Sequence, residues 1–233
     1  MADFADAVVY YVVFLFSTTL HEAAHAWAAA RGGDLTAYHG GQVSLNPVPH
    51  IRREPIGMVL LPLLTVFITG WPFGYASAPY NIDWARRHPT RAAWMALAGP
   101  AANLLLVIIA GLLLRAGAAA GIVLAPQTVR FGEIAETMAG GLWPGALHFV
   151  GVLFSLNLLL GAFNLLPFPP LDGSGALPLL LSPSATRRYQ DFIWGTPFLG
   201  FLGIFVAWQL FDTLFHPIFF TALGFLYPGV SYQ

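Results

Sequence analysis

Val8-Val9-Tyr10-Tyr11-Val12-Val13-Phe14-Leu15-Phe16-Ser17-Thr18-Thr19-Leu20-His21-Glu22-Ala23-Ala24-His25-Ala26-Trp27 decides how the whole chain is read. Its first half is an apolar run of the kind that crosses a bilayer. Its second half carries two histidines four apart, which a helix projects from one face about one turn apart, close enough to grip one metal ion. Glu22 then sits beside that metal, where it can take a proton from a bound water. Ionisable groups at membrane depth are costly and mark function. With 7 histidines and four glutamates in 233 residues, random placement gives roughly 0.004 matches to His-Glu-x-x-His.

Composition sets the frame. The chain is 57% apolar and 9% charged, with a mean hydropathy of +0.68, which is membrane-protein composition. A net charge of -1 argues against nucleic acid or any strongly charged partner. The absence of cysteine excludes disulfides and thiolate metal sites, so any metal must be held by nitrogen and oxygen. All ten basic residues are arginine. The N-terminus opens with Asp3 and Asp6 rather than basic residues, so the first apolar run is expected to stay as a transmembrane helix and not to be a signal peptide.

The pattern predicts an all-α polytopic membrane protein forming one membrane domain over residues 1–233. It has a three-helix core (about 5–30, 92–114 and 145–166), C-terminal helices within 193–228, and short membrane-embedded β or re-entrant segments in loops 34–85. Gly32-Gly33 stops the first span, and Arg31 beyond the motif points to a cytoplasmic exit. Gln42-Val43-Ser44-Leu45 reads as a short alternating strand after Gly40-Gly41. Residues 56–70 are too short to cross, which needs ~20 residues. Arginines on both sides of that stretch predict a re-entrant hairpin, followed by an interfacial loop or extended strand at 71–79. Residues 116–143 read as an outside loop with an interfacial helix, and 174–192 as a cytoplasmic loop. Residues 193–228 hold one long helix or two short ones broken near His216-Pro217, with His216 interfacial. His39 reads as a surface histidine, and Asn103 as an interhelical hydrogen-bond donor.

The third span ends in Asn164-Leu165-Leu166-Pro167-Phe168-Pro169-Pro170-Leu171-Asp172-Gly173, where three prolines break the helix. Irregular backbone at membrane depth is tolerated only against protein or a water-filled cavity, so Asn164 and Asp172 belong in a polar pocket. Two imidazoles leave a catalytic zinc one protein ligand short, and a carboxylate is a standard third. Asp172 is the best-placed candidate. It and the histidines lie at the C-terminal ends of their helices, and one span between them puts both ends on one side.

At this point the chain resembles the site-2 protease family of intramembrane zinc metalloproteases, in its compact branch without PDZ or CBS domains. The resemblance rests on His21-Glu22-Ala23-Ala24-His25, Ser44-Leu45-Asn46-Pro47 with His50-Ile51, Pro72-Phe73-Gly74-Tyr75-Ala76, Ala98-Gly99-Pro100 with Asn103, and Asn164 through Gly173. It implies one zinc ion per chain held by His21, His25 and Asp172, with Glu22 as general base and Asn164 near the scissile carbonyl. It implies regulated intramembrane proteolysis of a single-span membrane protein, in the lipid bilayer of a prokaryotic cell membrane, with the site toward the cytoplasm. Two departures stand out. Arg52 and Arg53 follow His50-Ile51 where relatives often carry an acidic residue, and Ser77 replaces a commonly basic one.

Rival readings use the same ligands. A metal transporter or sensor needs further acidic or histidine residues along a path, and the spans carry almost none. A non-catalytic metal-binding membrane protein needs a fourth protein ligand, for which His50 is the nearest choice. A membrane hydrolase acting on lipid is excluded only by the family resemblance.

Overall fold

The computed structural model describes residues 4–230 and 232, so Asp3 lies outside it. Among the described residues four helices are long and apolar enough to cross a membrane: α1 (Phe4–Gly32), α6 (Pro89–Ala119), α7 (Trp143–Asn164) and α10 (Phe198–Leu226). Between them lie short α2 (Thr36–His39), α3 (Pro47–Arg53), α4 (Leu61–Thr69), α5 (Ile82–Arg87), α8 (Asp172–Ala176) and the 13-residue α9 (Pro183–Gly195). The expected all-α polytopic architecture is what the chain adopts.

Helices α1, α6 and α7 form the core. The C-terminal half of α1 meets the start of α6, where His25 bonds Met95 and Arg91 bonds Gly32. The middle of α6 in turn faces the end of α7, with Gly161 against Leu104, and further along α6 Gly111 lies against the earlier Phe154. So α6 runs antiparallel to both neighbours, and the C-terminal ends of α1 and α7 share a side. Small residues are buried on both helices, Ala23, Ala26 and Ala29 on α1 and Ala93, Ala96 and Gly99 on α6, which lets them approach closely. Toward the other end Tyr10, Val13, Phe14, Leu106, Leu114 and Phe154 fill the interior.

Residues 56–69 form a π-turn running into α4, and they do not reach spanning length. Gly70 takes φ +88°, which a side chain would resist, and turns the chain back. The return limb lies along the helix, with Phe73 N donating to Thr65 Oγ1 and Tyr75 N to Gly57 O. A re-entrant hairpin is the shape expected for this stretch.

Four sequence expectations are corrected. The strand at 42–45 does not form. Ser44 Oγ accepts from Asn46 N, and Asn46 Oδ1 accepts from Val48 N to cap α3; these local bonds bend the chain into a turn. No helix forms in 120–142, where Gly121, Gly132 and Gly141 all take positive φ and only isolated bridges occur, Leu124 with Glu136 and Arg130 with Glu133. Segment 174–192, expected as a loop, holds the end of α8 and most of α9, the latter capped by Ser182 Oγ on Ala185 N. Residues 198–226 make one helix with Pro217 inside it, so His216 lies in the helix interior rather than at an interfacial break.

Candidate metal centre

His21, Glu22 and His25 are 6%, 5% and 6% exposed, at the end of α1 where α6 crosses it. Their ligand atoms lie within 4.8 Å of one another. Asp172 reaches the same point from α8, which packs on α6 through Gly175 and Ala96. Tyr189 Oη of α9 donates to Ser174 O and holds α8 from behind.

The hydrogen bonds fix which ring nitrogens are protonated. His25 Nδ1 lies 2.7 Å from the Met95 carbonyl, which only accepts, so Nδ1 carries the proton. For His21 the inference runs through three residues. Asn157 Nδ2 donates to the Leu153 carbonyl and to Ser17 Oγ, so Asn157 turns its Oδ1 toward Asn103 Nδ2 at 2.8 Å. Asn103 thereby presents Oδ1 to His21 Nδ1 at 2.5 Å, and that nitrogen donates. In their neutral forms both imidazoles leave Nε2 with a lone pair.

Those lone pairs point at each other and at a carboxylate. The two Nε2 atoms are 2.9 Å apart. Asp172 Oδ2 is 3.0 Å from His21 Nε2, and Oδ1 is 3.3 Å from His25 Nε2. Among the described residues the imidazoles are the only ion-pairing partners of Asp172. Electron-rich atoms at such spacing repel unless protons or a metal ion lie among them. Gly99 keeps the space beside them open, since a Cβ there would collide with both Nε2 atoms. Two nitrogens and a carboxylate fit a divalent metal such as zinc.

The relation of this site to known proteins is direct. The sequence model described as peptidase family M50 matches residues 9–203. The chain belongs to peptidase family M50. This is the site-2 protease family that the motifs resemble. Relatives include YwhC of Bacillus subtilis, 29% identical over 89% of this chain and 92% of its own length. Rip2 of Mycolicibacterium smegmatis is 33% identical over 75% of this chain, and Rip3 of Mycobacterium tuberculosis 31% over 80%. All three bear the name "Putative zinc metalloprotease". The chain spans 58% of that Rip2 and 35% of Rip3. No solved structure matches.

Of the residues singled out by sequence, His21, Glu22, His25 and Asp172 come together. Asn164 ends α7 with its amide on the Leu160 carbonyl at 3.0 Å, bonded within its own helix. His50 is buried, and its Nε2 donates to Ser44 O at 3.0 Å. It is not part of the His21, Glu22, His25 group. The two family departures touch each other: Arg53 Nε donates to Ser77 Oγ, which donates to Glu54 Oε1 at 2.6 Å. Asn157 and Ser17 are site members that the sequence reading missed. A lone asparagine in an apolar span was the available signal. The Met95 carbonyl had none.

Proposed function

We propose that this chain is a zinc-dependent intramembrane endopeptidase that cleaves another membrane protein within or near its transmembrane segment. The convergence of two imidazole lone pairs and one carboxylate beside a buried glutamate carries the reading. The name borne by the family M50 relatives supports it. His21, His25 and Asp172 would hold the metal. Bound zinc supplies a Lewis acid that lowers the pKa of water toward ~7 and polarises a carbonyl. A three-residue set leaves a position open, unlike the four protein ligands of a structural zinc. His50, engaged with Ser44, does not make a fourth.

Glu22 takes the proton from the attacking water and returns it to the leaving amine nitrogen. Asn164 releases Leu160 and donates its amide to the developing oxyanion, an effect worth about 3 kcal/mol in comparable sites. A helical peptide bond is shielded, so the substrate helix must unwind. The 42–45 turn and the 73–79 return limb, tied together by Gln42 Nε2 donating to Ser77 O, offer backbone against which an unwound strand can pair. The site faces the cytoplasm of a prokaryotic cell in this reading. Eight arginines (31, 52, 53, 86, 87, 91, 187 and 188) lie in segments at its end of the bundle, leaving Arg115 and Arg130 toward the other.

The test uses purified full-length chain in liposomes with a panel of single-span proteins. Glu22→Gln should keep one zinc per chain while cleavage falls at least about a hundredfold. Undiminished cleavage removes Glu22 from the chemistry, and a wild type that binds no zinc removes the metal.

A further inference from the structure

Helix α10 carries a polar stripe that the catalytic reading does not use. Gln209, Asp212, Thr213 and His216 fall at i, i+3, i+4 and i+7, one face over two turns, and all four are exposed. Asp212 is the fifteenth of 29 helical residues, about 21 Å from either end at 1.5 Å per residue. A helix crossing a hydrocarbon layer of about 30 Å puts that aspartate near its middle. The Asp212 side chain is 91% exposed and that of His216 67%. Among the described residues each has only the other as an ionic partner, at 3.9 Å. At the level of the stripe α10 packs inward through its other side, where Ala207 and Phe215 are buried and Phe211 lies against the core.

An acid and an imidazole turned toward lipid at that depth need a polar surface to cover them. Charge complementarity selects the cover. On one helix the stripe presents an acceptor and, one turn on, a donor. A two-fold axis along the membrane normal sets two such helices parallel, so that each carboxylate meets the other's imidazole in two equivalent contacts. We propose that this face joins two copies of the chain, with Asp212 bonded to His216 of the partner subunit and Gln209 and Thr213 flanking the axis. A different membrane protein bearing an unmatched charge would leave one member of the pair without a mate.

The cysteine-free chain gives a clean background for oxidative cross-linking. Gln209→Cys and Thr213→Cys, each as a single cysteine in membranes, should yield a disulfide product at twice the 25.2 kDa chain mass. Ile218→Cys, exposed and about 180° around the helix from Gln209, should yield at least fivefold less. With Thr213→Cys present, Asp212→His should lower the product at least fivefold, and Asp212→His with His216→Asp should restore it. Equal cross-linking at 213 and 218, no dimer at 209 or 213, or failure of the swapped pair to rescue would overturn the proposal. So would a product whose mass shows a different protein at this face.

Discussion

At the residue scale the site depends on side chains that need never touch substrate. Asn103 holds His21 by its Nδ1 and is held in turn by Asn157, so imidazole orientation is set two residues away from the metal position. Such supports typically change metal affinity 10–100-fold when removed. Asn103→Leu should lower zinc affinity by that factor, measured by competition with a chelator, while the chain still inserts. Unchanged affinity would show that the asparagine only packs helices. Gly99→Ala makes the complementary test. Its methyl would enter the space between both Nε2 atoms, so the variant should purify without zinc. Asn103 was recognisable from sequence as an interhelical group, but not as the partner of His21. A sequence gives spacing along one helix, and the partner of a ring nitrogen depends on how two helices cross.

At the element scale, the end of α1 is clamped to α5 by Asp34. Its carboxylate accepts from Thr36 Oγ1 at 2.5 Å, Thr36 N at 3.0 Å and Asn81 N at 2.7 Å. Burial alone would raise this carboxyl, but the hydrogen bonds outweigh it and hold it below its ordinary value. A lowered folded pKa adds stability that is fully present above the unfolded value of about 3.9. That stability is lost as pH falls through the folded value. Asp34→Ala leaves Asn81 N without its partner, so it should cost about 1–3 kcal/mol at neutral pH. Thermal unfolding of the variant should also lose part of the wild-type decline below pH 4. An identical acid limb would show that Asp34 is not the clamp. Legibility at this scale was uneven. The spans and the hairpin at 56–70 followed from apolar length and arginine placement, which the bilayer enforces strongly. The 42–45 stretch failed because four alternating residues are a weak signal against the local bonds of Ser44 and Asn46. Helix α9 was missed although Ser182-Pro183 carries both an N-cap and a first-turn proline.

At the scale of the whole molecule, one antiparallel span does the organising. Because α6 alone separates α1 from α7, residues 21 and 172 meet on one side, and this parity could be read from the sequence. The network beneath the histidines and the outward face of α10 could not. Both depend on rotation about helix axes, which hydropathy does not report. The four-helix bundle thus leaves its metal position near one end and its uncovered polar stripe at mid-depth, on a helix that takes no part in holding the metal.

X-ray absorption at the zinc edge of the purified chain is the most direct test of the claim that two stretches, with His21 and Asp172 151 residues apart in sequence, hold one open zinc. Wild type should show one zinc with two imidazole nitrogens and two oxygens, and Asp172→Ala should bind zinc far more weakly. A third imidazole in the first shell, or zinc held equally well without the aspartate, would contradict it.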